Sequence, residues 1–143
     1  MAQMYAVIGC VESQHPPENS LALGNQNGDI YYLAVANTEW GTIPGKARNG
    51  HCWYPYGDIE YRVESDFAYV TSFRPTTLVK STTPPPHAIL CGYQNDGSGY
   101  HYAAVVETEH GTIIGKAIGD KCWYPYDGIA HTTKNFKYAV LKQ

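Results

Sequence analysis

The chain has 143 residues and a formal net charge of −3, and 43% of its residues are hydrophobic while 16% are charged. This length suits one compact domain, or two small units that share a core, and the composition excludes general disorder. The mild acidity gives no electrostatic basis for binding nucleic acid or an anionic membrane, and no apolar run is long enough for a transmembrane helix.

The first residues, 1–9, lack the basic segment and the long apolar run that are typical of a signal peptide. We therefore expect a cytoplasmic protein, with release by a non-classical route left open. The cysteines lie at positions 10, 52, 91 and 122, and no CxxC pair occurs. We expect reduced and mostly buried thiols, with a disulfide framework as the minority alternative.

An internal repeat organises the chain. Residues 31–47 (YYLAVANTEWGTIPGKA) align with residues 101–117 (HYAAVVETEHGTIIGKA) at an offset of 70. The segments HCWYPY and KCWYPY follow at the same offset, and 17 of the 32 positions from 30 to 61 are identical to their counterparts. Upstream, residues 24–27 match residues 92–95 at an offset of 68, so two residues were gained or lost before the following strand. The pattern indicates two copies of one unit.

The predicted elements are short strands separated by turns. In the first copy we predict a turn at 24–26, a strand at 30–36, a hairpin turn at 37–41 and strands at 42–47 and 52–56; the second copy has strands at 100–106, 112–117 and 122–126 around a turn at 107–111. A similar short strand recurs at 4–8, 67–71 and 137–141. We expect Gly45 and Gly115 to occupy a bulge or a special φ, and no window of 11 residues has helical periodicity.

The boundary between the copies lies near residues 72–86, where the sequence STTPPP can continue neither a helix nor a central strand. We predict an all-β, antiparallel fold in one domain, 1–143, made of repeat one (1–71) and repeat two (72–143). One unit alone is marginally stable, so we expect the repeats to pack about a pseudo-twofold axis with shared or swapped flanking strands.

The two copies share a lysine at the same position, Lys46 in the first and Lys116 in the second, and this identity needs an explanation. Each follows a glycine at the end of a hairpin strand, whereas the charges of Arg48 and Glu60 are not kept in the second copy. Glu39 and Glu109 are also retained, but at the hairpin tip we expect them to be solvated. A lysine ammonium offers three hydrogen-bond donors, and the hairpin returns it towards the sheet end that carries Gln26 or Gln94. The sequence therefore predicts a donor and an amide on the same side of each unit.

The Gly-Lys hairpin followed by Tyr-Pro-Tyr, present twice, resembles the DM-nine repeat family, which includes mannose-binding lectins and the repeat region of natterin-like proteins. The resemblance covers residues 18–71 and 86–141. It implies intertwined β repeats, a homodimer, one sugar site per repeat for mannose or mannose-type glycans, and a role in agglutination or innate defence. The family's site lysine falls on Lys46 and Lys116. Its site aspartate falls on Gln26 and Gln94.

This carboxylate-to-amide difference bears on sugar preference, because a carboxamide accepts hydrogen bonds more weakly than a carboxylate and also donates. A Gly-Lys-Glu-His segment of the family is matched here only by Glu60 in one copy and His131 in the other. The two sites are therefore expected to differ.

The chemistry of these residues suits a neutral ligand rich in hydroxyl groups. The predicted sugar-binding residues are Gln26, Asn27, Lys46, Gln94, Asn95 and Lys116, with Glu60, His131, Tyr56 and Tyr126 as further candidates. We expect no catalytic residue and no cofactor. We also expect no metal site, because the six histidines lack metal-ligand spacing.

Two alternatives stay open at this stage. One is a non-catalytic protein-interaction module that uses edge strands and exposed tyrosines. The other is a natterin-like hydrolase with Cys52 as nucleophile. Cys52 and His51 are adjacent in a strand and so point to opposite faces, which makes the hydrolase the weaker alternative.

Overall fold

The computed structural model describes residues 8–143, and every regular element in that part of the chain is a β-strand. The strands are β1 (Gly9–Val11), β2 (Gly24–Gln26), β3 (Asp29–Thr38), β4 (Gly41–Arg48), β5 (His51–Tyr56), β6 (Ile59–Val63), β7 (Phe67–Thr71), β8 (Thr76–Val79), β9 (Leu90–Gln94), β10 (Gly99–Thr108), β11 (Gly111–Ile118), β12 (Lys121–Tyr126), β13 (Ile129–Thr133) and β14 (Lys137–Leu141). All their pairings are antiparallel, which confirms the predicted all-β fold class. Within residues 8–143 there is accordingly no helix that could span a membrane.

The predicted strands of the two copies are confirmed with bounds that differ by at most two residues. The strand predictions at 67–71 and 137–141 coincide with β7 and β14. The remaining strand of this type, predicted at 4–8, lies outside the described residues except for Ile8, which is not in a strand. The neighbouring β1 pairs with β7.

One local prediction is wrong. Residues 24–26 form strand β2 rather than a turn, because they pair with strands on both sides, and the turn comes after them at Asn27 and Gly28. In the boundary segment 72–86, residues 81–86 lie in no strand or helix, and the earlier part contains strand β8, which pairs with β14 along its whole length.

The repeats are joined by an exchange of short strands. β2 of repeat one pairs with its own β3 and also with β11 of repeat two, and β9 of repeat two pairs with its own β10 and with β4 of repeat one. The β2–β11 crossing, the pairing of β13 with β6 and the β3–β4 hairpin close the sheet into a ring of eight strands, β3-β2-β11-β12-β13-β6-β5-β4. Strands are thus exchanged between the repeats, as predicted, but the exchanged strands are β2 and β9, whereas the flanking strands β7 and β14 pair with β3 and β10 of their own repeats.

Two glycines make this exchange sterically possible. Gly41 and Gly111 have φ angles of 125° and 113°, in the region that favours glycine. A Cβ at Gly41 would lie 2.0 Å from the carbonyl oxygen of Tyr93, and one at Gly111 would lie 2.0 Å from that of Asn25. Both carbonyls belong to the exchanged strand of the other repeat, so only glycine lets the two backbones pair there.

Gly45 and Gly115 are constrained for a different reason than expected. Neither has a positive φ, and β3–β4 and β10–β11 pair through them in regular register. A Cβ at Gly45 would lie 2.3 Å from the Trp53 carbonyl oxygen, and one at Gly115 would lie 2.4 Å from that of Trp123. The close approach of the next strand, rather than a bulge, excludes a side chain here.

One apolar cluster belongs to both repeats. It contains Leu21, Leu33, Val35, Ala68 and Val70 from repeat one and Ile89, Ala103, Val105, Ile114, Ala139 and Leu141 from repeat two. Two smaller clusters each belong to one repeat, and they contain the buried Cys52 and Cys122, respectively. All four cysteines are free in the structure; Cys10 is exposed and Cys91 is partly buried.

A substitution in the shared cluster tests whether the repeats unfold together. Leu33 is fully buried, so Leu33→Ala should lower the free energy of unfolding by about 2–5 kcal/mol. Because this cluster continues into repeat two, amide hydrogen exchange should speed up in β10 as well as in β3. Loss of protection confined to repeat one would contradict the shared core.

Candidate functional site

Two lysine side chains are buried inside the sheet, one in each repeat. Lys46 on β4 is 3% exposed and Lys116 on β11 is 4% exposed. Each ammonium hydrogen-bonds the side-chain oxygen of the glutamine on the exchanged strand of its own repeat: Lys46 to Gln26, at 2.6 Å, and Lys116 to Gln94. The structure thus brings together the donor and the amide that the sequence placed on one side of each unit.

The Lys46 site is built around the ammonium of Lys46. Besides Gln26, Lys46 Nζ donates to the carbonyl oxygen of Pro125 at 2.8 Å and lies 3.7 Å from the carboxylate of Glu60. The ring centroids of Tyr31 and Tyr126 lie 5.3 Å and 5.5 Å from Nζ. A carbonyl, a carboxylate and a carboxamide therefore occupy the surroundings of this ammonium.

The Lys116 site has a different set of neighbours. Gln94 Nε2 donates to the Asp96 carboxylate at 2.9 Å, and the Tyr56 hydroxyl donates to the same oxygen at 3.3 Å. The Lys116 ammonium lies 5.4 Å from the Tyr56 ring centroid. A cavity of about 280 Å³ opens beside it, and its lining is Tyr56, Gly57, Gln94, Asp96, Ser98, His101, Lys116 and Trp123.

Each site combines residues of both repeats. Lys46 lies against Pro125 and Tyr126 of repeat two, and Lys116 lies against Tyr56 of repeat one. The pairing of β6 with β13 brings these residues of the two repeats together. Beside it, the main-chain N–H of Glu60 donates to the Gly128 carbonyl at 3.1 Å. Neither site would be complete within a single repeat.

The negative charge comes from a different place in each site. In the Lys46 site it is Glu60, whose counterpart at an offset of 70 is Ala130. In the Lys116 site it is Asp96, in the turn between β9 and β10. That turn has four residues where the turn after β2 has two, and the two additional residues account for the change of offset from 68 to 70.

Burial lowers the pKa of both lysines from 10.5 to about 8. The cause is desolvation, which the nearby carboxylates, Glu60 for Lys46 and Asp96 for Lys116, offset only in part. A shift of this size corresponds to roughly 3 kcal/mol against the charged form. Both groups are ammonium ions below about pH 8 and neutral amines above it.

The surroundings of Asp96 keep its side chain charged, whereas those of His101 keep its ring neutral. Hydrogen bonds from Ser98 first, and then from Gln94 and Tyr56, lower the pKa of Asp96 to about 2, so it is a carboxylate. Desolvation, with repulsion by Lys116, lowers the pKa of His101 to about 4, so its ring is neutral at pH 7. The Lys116 site therefore holds one cation and one anion.

Three predicted site residues do not contact either lysine. The side chain of Asn95 donates to the Glu39 carbonyl at 3.2 Å, and the main-chain N–H of Asn27 donates to the His110 carbonyl at 2.8 Å. These hydrogen bonds connect the turns after β9 and β2 to the other repeat. His131 stacks on Tyr124, and its Nε2 lies 3.1 Å from the Tyr126 carbonyl oxygen. The candidates Glu60, Tyr56 and Tyr126 do lie beside the lysines, the two tyrosines beside the lysine of the other repeat.

Sequence reasoning missed several residues of the two sites, among them Asp96, His101, Tyr31 and Trp123. Tyr31 and His101 occupy equivalent positions, and the histidine had been considered only as a metal ligand. Trp123 lines the cavity, with its ring centroid 6.0 Å from Lys116 Nζ. The change of offset beside Gln94 was the one signal that marked Asp96 and Ser98 as different from repeat one.

In the described part of the chain, the side chains around Cys52 do not form the site that the hydrolase alternative needs, and no side-chain group is arranged to bind a metal. Cys52 is fully buried, and desolvation raises the pKa of its thiol, while the His51 ring lies 3.1 Å from Glu64. No group of three or more His, Cys, Asp or Glu side chains within residues 8–143 is placed to hold a metal ion.

No protein-family model matches the sequence, and no curated protein matches it. Among solved structures, the chain is similar to the crystal structure of the nematode sperm cell motility protein MFP2B, with a TM-score of 0.71 and 13% sequence identity. The match covers 98% of this chain and 47% of that chain, so the present chain spans about half the length of its structural neighbour. At this identity the similarity shows the fold alone.

The lowered lysine pKa values are directly measurable. In ¹³C NMR titrations, the Cε resonances of Lys46 and Lys116 should move with midpoints near pH 8. Because Glu60 favours the ammonium of Lys46 and Asp96 that of Lys116, Glu60→Gln should lower only the first midpoint and Asp96→Asn only the second. Midpoints near the usual 10.5 would show that the ammonium groups are solvated.

Proposed function

We propose that the protein is a carbohydrate-binding lectin that recognises mannose or mannose-type glycans at its ammonium–carboxamide pairs. The observation that carries the proposal is the buried lysine held against a glutamine oxygen and an aromatic ring, present in both repeats. Sugar hydroxyls need donors and acceptors together, and a pre-organised ammonium beside an amide supplies both without ordering a flexible side chain.

The resemblance of the repeated Gly-Lys and Tyr-Pro-Tyr segments to the DM-nine repeat family supports this proposal. The site lysines implied by that resemblance, Lys46 and Lys116, are the two buried ammonium groups. The implied carboxylate is replaced by Gln26 or Gln94, but a carboxylate from another position, Glu60 or Asp96, stands close to each pair. The acceptor chemistry that the amide weakens is thus restored from a neighbouring element.

We propose further that the protein is not an enzyme and acts as a homodimer. Burial of the Cys52 thiol and the pairing of His51 with Glu64 support the first point, since a nucleophile and its base need access and contact. Two chains in one particle would present several weak sites, and the resulting avidity suits the agglutination of glycan-coated surfaces in innate defence.

A second candidate function is a non-catalytic protein-interaction module. Its support is the exposed apolar side chains of the two edge strands, Val11 on β1 and Leu78 on β8, together with Phe73 between β7 and β8, which is 92% exposed. A motility protein shares the fold, although the low identity transfers no activity from it. A broad glycan panel without a single bound saccharide would favour this candidate over the lectin.

The double variant Lys46→Met, Lys116→Met tests the lectin proposal. Methionine keeps the length of the stem and removes the ammonium, so retention on mannan or mannose resin should fall at least about tenfold, as expected for the loss of a charge-assisted hydrogen bond. The matched control is Lys134→Met, because Lys134 is exposed and distant in the sequence from both pairs. Circular dichroism should show the same fold in all three proteins. A folded double variant that is retained like the parent would refute the site assignment.

A further inference from the structure

We propose that the two pairs have different roles: the Lys116 site is the open site for a single neutral sugar ring, whereas the Lys46 site is a closed clamp between the repeats. This inference rests on the proposed function and limits it to one of the two repeats. It comes from comparing the hydrogen-bond partners of the two ammonium groups.

The ammonium of Lys46 is satisfied by the protein itself. Its three donors face the Gln26 oxygen at 2.6 Å, the Pro125 carbonyl at 2.8 Å and the Glu60 carboxylate at 3.7 Å. Glu60 is held in turn, because its other oxygen accepts the Gly128 main-chain N–H at 2.9 Å. A ligand hydroxyl would have to displace protein acceptors, and those acceptors tie repeat one to repeat two.

The ammonium of Lys116 has donors to spare. Within residues 8–143 its hydrogen-bond acceptor is the Gln94 oxygen, and the bond equivalent to the one between Lys46 and the Pro125 carbonyl is not formed. Ala130 occupies the position of Glu60, so no carboxylate reaches the ammonium from β13. The side chain is 4% exposed, yet it lines the cavity of about 280 Å³. An ammonium with unused donors on a cavity wall is prepared for a ligand oxygen.

His101 supplies an acceptor in the same cavity. Its Nδ1 lies 3.1 Å from the Gly99 carbonyl oxygen, which can only accept, so Nδ1 carries the proton and Nε2 has the free lone pair. The ring is 1% exposed, and Nε2 has no hydrogen-bond partner in the described part of the chain. A hydroxyl group can accept from Lys116 and donate to a neutral imidazole, which is the pairing that a polyol requires.

The remaining walls favour a neutral ligand over an anion. Asp96 lies on the cavity wall as a carboxylate, and its negative charge balances the positive charge of Lys116. Its oxygens already accept hydrogen bonds from Ser98 and Tyr56. The Trp123 ring offers an apolar face for the C–H side of a sugar. The volume is slightly below the roughly 300–1,000 Å³ of typical small-molecule pockets, which suits one ring rather than a longer chain.

The difference between the two lysines can be measured without any sugar. Reductive methylation with formaldehyde and cyanoborohydride, followed by peptide mass spectrometry, reports how readily each amine is reached. Because the two pKa values are both about 8, their fractions of neutral amine are similar, and access decides the rates. Lys116 should react at least about tenfold faster than Lys46. Equal rates, or a faster Lys46, would overturn the inference.

Binding experiments with mannose and mannan then separate the inference from the proposed function. Titration calorimetry should find one ligand per chain, and Lys116→Met alone should remove all binding rather than half of it. His101→Phe keeps an aromatic ring but loses the acceptor, so affinity should fall about threefold to tenfold. Two ligands per chain, or half of the capacity left in Lys116→Met, would overturn the inference. A protein that binds no saccharide would end the lectin proposal, while the methylation rates would still decide between an open and a closed site.

Discussion

The structure depends on the exchange of β2 and β9 between the two repeats. Each of these short strands pairs with the long strand of its own repeat and with the hairpin of the other, and Gly41 and Gly111 provide the space for the backbones to meet. The glutamines at the ends of the exchanged strands are thereby carried to the buried lysines. The same exchange lets one apolar cluster extend through both repeats, which a unit of this size needs in order to be stable.

A buried ammonium is costly, and the lowered pKa values of Lys46 and Lys116 show that desolvation outweighs the nearby carboxylates. A lysine at both positions therefore points to a use for the charge. In repeat one, that use is the bond to the Pro125 carbonyl across the repeat boundary. In repeat two, the charge faces a cavity.

Small changes of sequence distinguish the two halves of an otherwise regular pair. Ala130 in place of a glutamate removes one carboxylate, and a turn longer by two residues introduces Asp96 with the serine that holds it. The substitution of a tyrosine by His101 adds a neutral acceptor. Duplication thus leaves one copy able to secure the fold and the other free to vary at its cavity.

The sequence by itself determined the repeat, the all-β class, the hairpins and the importance of Lys46 and Lys116, because identical turns and alternating strands depend on local geometry that neighbouring residues specify. It also indicated that each lysine faces a glutamine. Only the tertiary structure decided that residues 24–26 are a strand, and that the tyrosine beside each lysine comes from the other repeat. Pairing between segments far apart in the sequence leaves no mark in local periodicity. For the same reason the placement of Glu60 beside one lysine site and of Asp96 beside the other, and the neutral state of His101, follow from burial and proximity that appear only when the chain is folded.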